Sequence, residues 1–198
     1  MDAGLMAIPE DRASTAPVIG NLLPPADRFR PDLTAYHLGG IGIQDPSQGL
    51  EVQVWVAQGY ANRVDVFPEN DPAAAVTFVS GATRVEFVAL AFDQNMRPVI
   101  AYTDAGVTKL FWYDSSAADY VTTEYPTAQS PFCVMDDTRP SATLTGRNDV
   151  LFFYIDGGLK YRQQRDRYQT EYTLSAVSSG RIARAGMTDA LRLQIEFE

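Results

Sequence analysis

Apolar and polar positions alternate with a period of two along much of the chain from about residue 48 onward. In EVQVWVA (51–57), Val52, Val54 and Val56 alternate with Glu51, Gln53 and Trp55. In RVDVF (63–67), Val64 and Val66 alternate with their neighbours. A period of two places successive side chains on opposite faces of a β-strand. The Gly59–Asn62 stretch between the two runs is a turn signal. Further strands are expected in AVTFVS (75–80), RVEFVALAF (84–92), PVIAYT (98–103), TKLFWYD (108–114), YVTTEY (120–125), SPFCVMD (130–136), SATLTG (141–146) and DVLFFYID (149–156). Val, Thr, Tyr and Phe dominate them, as a pleated, half-buried surface favours. No helical periodicity runs for more than a turn or two. The last residues, ALRLQIEFE (190–198), alternate without a break, with Leu191, Leu193, Ile195 and Phe197 facing in.

Two segments repeat. FDQNMRPVIAYTDAGVTKLFWYD continues to YVTTEY, and MDDTRPSATLTGRNDVLFFYID continues to YQTEY. Asp93 aligns with Asp136, Arg97–Pro98 with Arg139–Pro140, and Leu110–Phe111 with Leu151–Phe152. A weaker copy runs from Gln44–Asp45–Pro46 to Val66–Phe67. A period of roughly 40 residues with about four short strands per unit marks a β-propeller blade. The expected fold is therefore all-β, with short antiparallel strands in propeller-blade-like repeats. The non-alternating strands LFWY and LFFYI belong at the centre of their units, covered on both faces.

Residues 1–33 read differently. Pro9, Pro17, Pro24, Pro25 and Pro31 interrupt both helix and ladder. Leu5, Met6, Ile8, Val18, Ile19, Leu22 and Leu23 give the segment more apolar content than a solvated linker needs. The chain divides into an extended N-terminal arm (1–33), of a kind that orders along a neighbouring subunit, and a β-repeat domain (34–198).

YRQQRDRYQTEY (161–172) concentrates three tyrosines and three arginines. LKYRQQ (159–164) and RYQTEYTL (167–174) alternate as two strands around a tight turn at Arg165–Asp166. One face carries Tyr161, Tyr168 and Tyr172, and the other is charged. This is a structural hairpin whose Arg162, Arg165, Arg167 and Tyr168 are candidate subunit contacts. Its positive charge is offset by Asp166 and Glu171, and the chain carries a net charge of −9. An acidic surface repels phosphate backbones, so sequence recognition of nucleic acid is not expected. Fourteen of the sixteen cations are arginine, whose planar fork suits interfaces. No run is long and apolar enough for a transmembrane helix, and no basic n-region opens the chain, so a soluble protein made in a reducing cytoplasm is expected.

Candidate chemistry is sparse. His37 is the only histidine and Cys133, in apolar SPFCVM, the only cysteine, so no zinc centre or Cys-based nucleophile is expected. The two lysines, Lys109 and Lys160, follow no P-loop glycine run. GGIGIQD (39–45) resembles half of a dinucleotide loop, but no helix pattern follows. Asp93, Asp114, Asp136–Asp137 and Asp156 recur at repeat-equivalent positions. That fits turn capping better than a catalytic pair, which breaks repeat symmetry. Calcium at Asp93–Asn95 or Asp136–Asp137 lacks the full loop pattern. A sialidase-like set would need Arg97, Arg139 and Tyr102, without the sequence box of that class. Neither a cofactor nor a metal is expected.

The strings DPSQGLEVQVW (45–55), AFDQNMRPVIAY (91–102), LFWYDS (110–115), the run from Arg139 to Tyr172, and RIARAGM through RLQIEF (181–197) resemble a family of virion structural proteins of tailed bacteriophages. The resemblance covers roughly residues 35–198. It implies a non-enzymatic structural subunit of a tail or head–tail assembly, located in the virion and assembled in the host cytoplasm. Its partners would be copies of itself and other tail proteins. One alternative is a carbohydrate- or receptor-binding β domain with Trp55, Trp112 and Tyr60 lining a groove. Another is a glycosidase on a propeller-like scaffold.

Overall fold

The computed structural model describes residues 39–44, 53–93, 95–135, 150–176, 178, 180–187 and 193–197. The expected arm (1–33), His37, Asp136–Asp137, Arg139–Pro140 and the SATLTG segment lie outside the described residues.

The described residues are all-β. Helix among them is confined to single 3-10 turns at Pro72–Ala74 and Gln164–Asp166. The strands are β1 (Gly39–Gln44), β2 (Gln53–Gly59), β3 (Arg63–Pro68), β4 (Val76–Ser80), β5 (Val85–Phe92), β6 (Pro98–Asp104), β7 (Val107–Asp114), β8 (Asp119–Tyr125), β9 (Gln129–Met135), β10 (Val150–Ile155), β11 (Leu159–Gln163), β12 (Tyr172–Ser175), β13 (Ile182–Met187) and β14 (Leu193–Phe197). Consecutive strands pair antiparallel into three four-stranded sheets, β1–β4, β5–β8 and β9–β12, followed by a two-stranded ribbon, β13–β14. No sheet closes on itself. The GGIGIQ segment that looked like half a nucleotide loop is β1, with Ile41 and Ile43 in register with Val56 and Val54 of β2.

Alternation explains the burial. On β7, Thr108, Leu110, Trp112 and Asp114 are buried while Lys109, Phe111 and Tyr113 are half-buried, as strict two-residue periodicity dictates. The strands buried along their whole length are β6 and β10. LFFYI and LFWY both lie on interior strands, but only LFFYI is covered on both faces; LFWY, on β7, alternates between buried and half-buried positions. The pairing of Leu110–Phe111 with Leu151–Phe152 therefore joins a third strand to a second one. Structurally, Tyr102 and Asp104 on β6 hold the places of Tyr154 on β10 and of Asp156 just after it, each ahead of a turn with a positive-φ glycine, Gly106 or Gly157. Text similarity followed aromatic richness, whereas the fold follows position relative to the buried second strand.

The sheets stack face to face. Ala57, Val64, Val66 and Val79 of the first meet Val88, Leu90, Phe92, Ile100 and Tyr102 of the second. The other face of the second sheet (Ala89, Ala91, Val99, Ala101, Leu110, Trp112) meets Cys133, Val150, Phe152 and Tyr154 of the third. The far face of the third sheet (Val134, Leu151, Phe153, Ile155, Leu159) receives Ile182 and Ala185 of the ribbon. First strands run as a row: β1 packs on β5, β5 on β9, and β9 on β13. Exposure rises toward the fourth strands, β4, β8 and β12.

Candidate functional site

The hairpin of residues 159–175 starts as the sequence predicts. Gly157 takes a left-handed turn at φ +61, and Gly158 lies so close to β12 that an added Cβ would sit 2.9 Å from the Ser175 carbonyl oxygen. The connection then departs from a tight turn at Arg165–Asp166. After the 3-10 turn at Gln164–Asp166, Arg167 and Tyr168 both adopt positive φ, +61 and +58, and the second strand begins only at Tyr172. Two non-glycine residues in succession in this region cost about 1–2 kcal/mol each. Burial of an aromatic ring and an ion pair from half-exposed Arg167 to a buried carboxylate offset that cost.

The ring belongs to Tyr168. It is 2% exposed and meets Trp112 edge-on at 5.1 Å and Phe152 at 6.4 Å between centroids. It therefore wedges between the second and third sheets rather than lining one face of a strand. Arg167 reaches the second sheet, where Nη2 donates to Asp114 Oδ2 at 2.5 Å. Burial alone would raise the Asp114 carboxyl, but the Ser116 amide and the Arg167 guanidinium outweigh it and hold it below the usual carboxylate range. Nearby, Gln164 Nε2 donates to Asp93 Oδ2 across the same seam.

Arg162 is the centre of a knot within the third sheet. Its Nε donates to Tyr154 Oη at 2.8 Å. Its Nη1 donates to the carbonyls of Tyr168 and Gln169 at 3.0 and 2.7 Å, and its Nη2 to Glu171 Oε2 at 3.0 Å. The guanidinium also lies 5.3 Å from the Tyr125 ring centroid. Glu171 receives Tyr154 Oη at 2.5 Å and Lys160 Nζ at 2.7 Å. Lys160 and the Tyr154 hydroxyl together hold the Glu171 carboxyl down at about 2. Burial, with the Glu171 charge adding to it, pushes the Tyr154 hydroxyl well above its ordinary range. Of the four candidate contact residues, Arg162, Arg167 and Tyr168 thus have defined roles inside the chain, and Arg165 stands exposed on the turn.

The other candidates also have definite places. Asp93 Oδ1 accepts the amides of Asn95 and Arg97, and Asp114 Oδ1 accepts that of Ser116, so these carboxylates cap turns. Asp104 accepts the amides of Thr83 and Arg84 and thereby ties the second sheet to the linker from the first. Arg97 lies 3.7 Å over the Tyr113 ring, while Tyr102 is buried in the core between the first two sheets. Trp112 is buried, Trp55 packs edge-on against Phe92, and Tyr60 lies beneath the Arg63 guanidinium. Cys133 is buried, and desolvation pushes its thiol far up, as befits an inert apolar filler. Among the described residues no three metal-ligating side chains converge.

Sequence reasoning missed an aromatic ladder. Phe153, Tyr161 and Tyr172 stack in turn from β10 through β11 to β12, with centroids 5.7 and 4.9 Å apart. The ladder begins at a fully buried ring and ends at one that is 38% exposed. Leu174, the extra residue where the β11–β12 register shifts, is 46% exposed. Phe197, expected inside, is also exposed on β14. Cross-strand register was the signal that could have found the ladder, but register depends on where β12 begins. No protein-family model and no curated protein matches the chain.

Proposed function

We propose that this protein is a structural subunit of a bacteriophage tail or head–tail assembly, acting through contacts with copies of itself and with other tail proteins. Its three four-stranded meanders serve as propeller-blade-like units in an array that neighbouring subunits complete. The observation that carries this reading is the row β1–β5–β9–β13, which stacks sheet upon sheet and ends in a ribbon half as wide as the sheets before it. Apolar sheet faces and strand edges are costly to leave in water, and symmetric association is the common way to cover them. Tyr172, Leu174 and Phe197 are exposed at that end of the row. The phage assignment itself rests on the resemblance of residues 35–198 to tail structural proteins.

Sedimentation velocity of the full chain across a concentration series tests the assembly reading. Discrete higher-order species, visible as rings or stacks by electron microscopy, are the expected result. A single monomeric species at every concentration overturns it.

A further inference from the structure

Arg63 pairs with Asp65, Arg84 with Glu86, Lys109 with Asp104 and Glu124, Lys160 with Asp156 and Glu171, Arg162 with Glu171, and Arg167 with Asp114. Arg97 is different. It is half-buried, yet among the described residues no hydrogen bond or ion pair engages its guanidinium, in a chain with 25 acidic residues. The side chain is nevertheless fixed. Its Cζ lies 3.7 Å from the centroid of the Tyr113 ring. Its backbone is held in the β5–β6 turn, where its amide donates to Asp93 Oδ1 at 3.0 Å and its carbonyl accepts the Asp93 amide at 2.9 Å. The Asp93 carboxylate is already spent on the amides of Asn95 and Arg97 and on the Gln164 side chain.

Tyr113 belongs to a connected group of half-buried rings at the outer strands of the first two sheets. Tyr120 stands opposite it on β8, edge-on at 5.3 Å. Tyr120 stacks on Phe111 at 4.8 Å, and Phe78 of β4 meets both edge-on. Among the described residues neither the Tyr113 nor the Tyr120 hydroxyl forms a hydrogen bond. Burial raises the Tyr120 hydroxyl above its ordinary range. The Asp93 charge adds to this and the Arg97 charge opposes it, so the hydroxyl stays protonated beside the guanidinium.

We propose that Arg97, Tyr113 and Tyr120 form a binding site for the carboxylate and ring hydroxyls of a uronic-acid saccharide. The guanidinium is a planar fork that matches a carboxylate through two parallel bonds. Stacked on Tyr113, it has less rotamer freedom left to lose when a ligand arrives. Phenol hydroxyls both donate to and accept from sugar hydroxyls. The C–H face of a pyranose packs on an aromatic ring because both surfaces leave water. An acidic peptide side chain offers the carboxylate without the hydroxyls. A nucleotide carries several charges, which a chain of net charge −9 repels. A single carboxylate on a rigid, hydroxylated ring meets all three features together. Monomer and oligomer alike would carry such a site.

Titration of the full chain with methyl glucuronide and methyl galacturonide, read by saturation-transfer NMR, tests it. Saturable binding of at least one sugar acid is expected. The matching neutral sugars, methyl glucoside and methyl galactoside, are expected to bind about tenfold or more weakly, for want of the charge-assisted pair. Arg97→Lys keeps the charge but not the fork and is expected to weaken binding by about tenfold. Tyr120→Phe keeps the ring and is expected to weaken it by about threefold. Both variants should unfold in urea as the wild type does, since neither polar group bonds elsewhere among the described residues. No saturable binding of either sugar acid, equal binding of acidic and neutral sugars, or undiminished binding by Arg97→Lys overturns the site. N-acetylglutamate bound as tightly as the sugar acids overturns the saccharide and assigns the site to an acidic peptide.

Discussion

The seam between the second and third sheets and the seam between the third sheet and the ribbon share one face-to-face stacking but are finished differently. The first is full width. Aromatic rings fill it out to its edge, and polar ties cross it: Asp93 to Gln164, Asp114 to Arg167, and Thr108 Oγ1 to the Ala128 carbonyl at 2.7 Å. The second is apolar at its base, around Phe153, Leu151, Ile182 and Ala185, and is tied by the Ile182 amide to Ser130 Oγ at 2.7 Å. At its outer end the ladder stops at a half-open tyrosine. The comparison teaches that one sheet can have a sealed face and an open face. Phe152 and Tyr154 are buried at the sealed face, whereas the ladder on the other face runs from buried Phe153 out to exposed Tyr172.

The sharpest way to break that comparison is to remove one ring from each seam. Phe152→Ala, at a fully buried position in the sealed seam, is expected to destabilise by about 3–5 kcal/mol in urea unfolding. Phe197→Ala, at the open end, is expected to cost less than about 1 kcal/mol. Comparable losses at the two positions would dissolve the distinction. A smaller effect is expected from Gly158→Ala. Its new Cβ meets the β12 backbone at Ser175, and the strand must shift, at about 1–3 kcal/mol.

Acid probes the knot of Arg162, Tyr154, Lys160 and Glu171. The Glu171 carboxyl titrates at about 2 when folded, against 4.5 for an unperturbed glutamate. Its contribution is complete above pH 4.5 and is lost as pH falls from there toward 2. Unfolding free energy measured from pH 6 down to pH 2 should decline, and Glu171→Gln should flatten that decline. An identical slope in wild type and variant would remove Glu171 from the account. The smallest effect belongs to Tyr172→Ala, within about 1 kcal/mol in the isolated subunit. Its consequence is expected in association rather than in unfolding.

Much of the strand content was legible in the chain. Val64 and Val66, the alternation of β7, and the terminal LQIEF run each announce a strand, because a two-residue period is a local property. The turn-capping aspartates were legible for the same reason, since Asp93 and Asp114 bond to amides two to four residues away. Tyr168 was not legible. Its place depends on two consecutive left-handed residues and on Trp112, which is distant in sequence. Arg162 and Arg167 stood out in the sequence, but their bonds within the chain, Arg162 to Glu171 and Tyr154 and Arg167 to Asp114, were not legible there.

The amino-acid pattern alone determined that this protein is built of short antiparallel strands with turns at Asp, Gly and Asn, because strand periodicity and turn chemistry act over a few residues. Only the tertiary structure decided which strand lies at the centre of each sheet, which face of the third sheet is sealed, and where the aromatic ladder comes to the surface. Those outcomes depend on register and on stacking between segments far apart in the chain. A slip of one residue would exchange the two faces of a strand while leaving its composition unchanged.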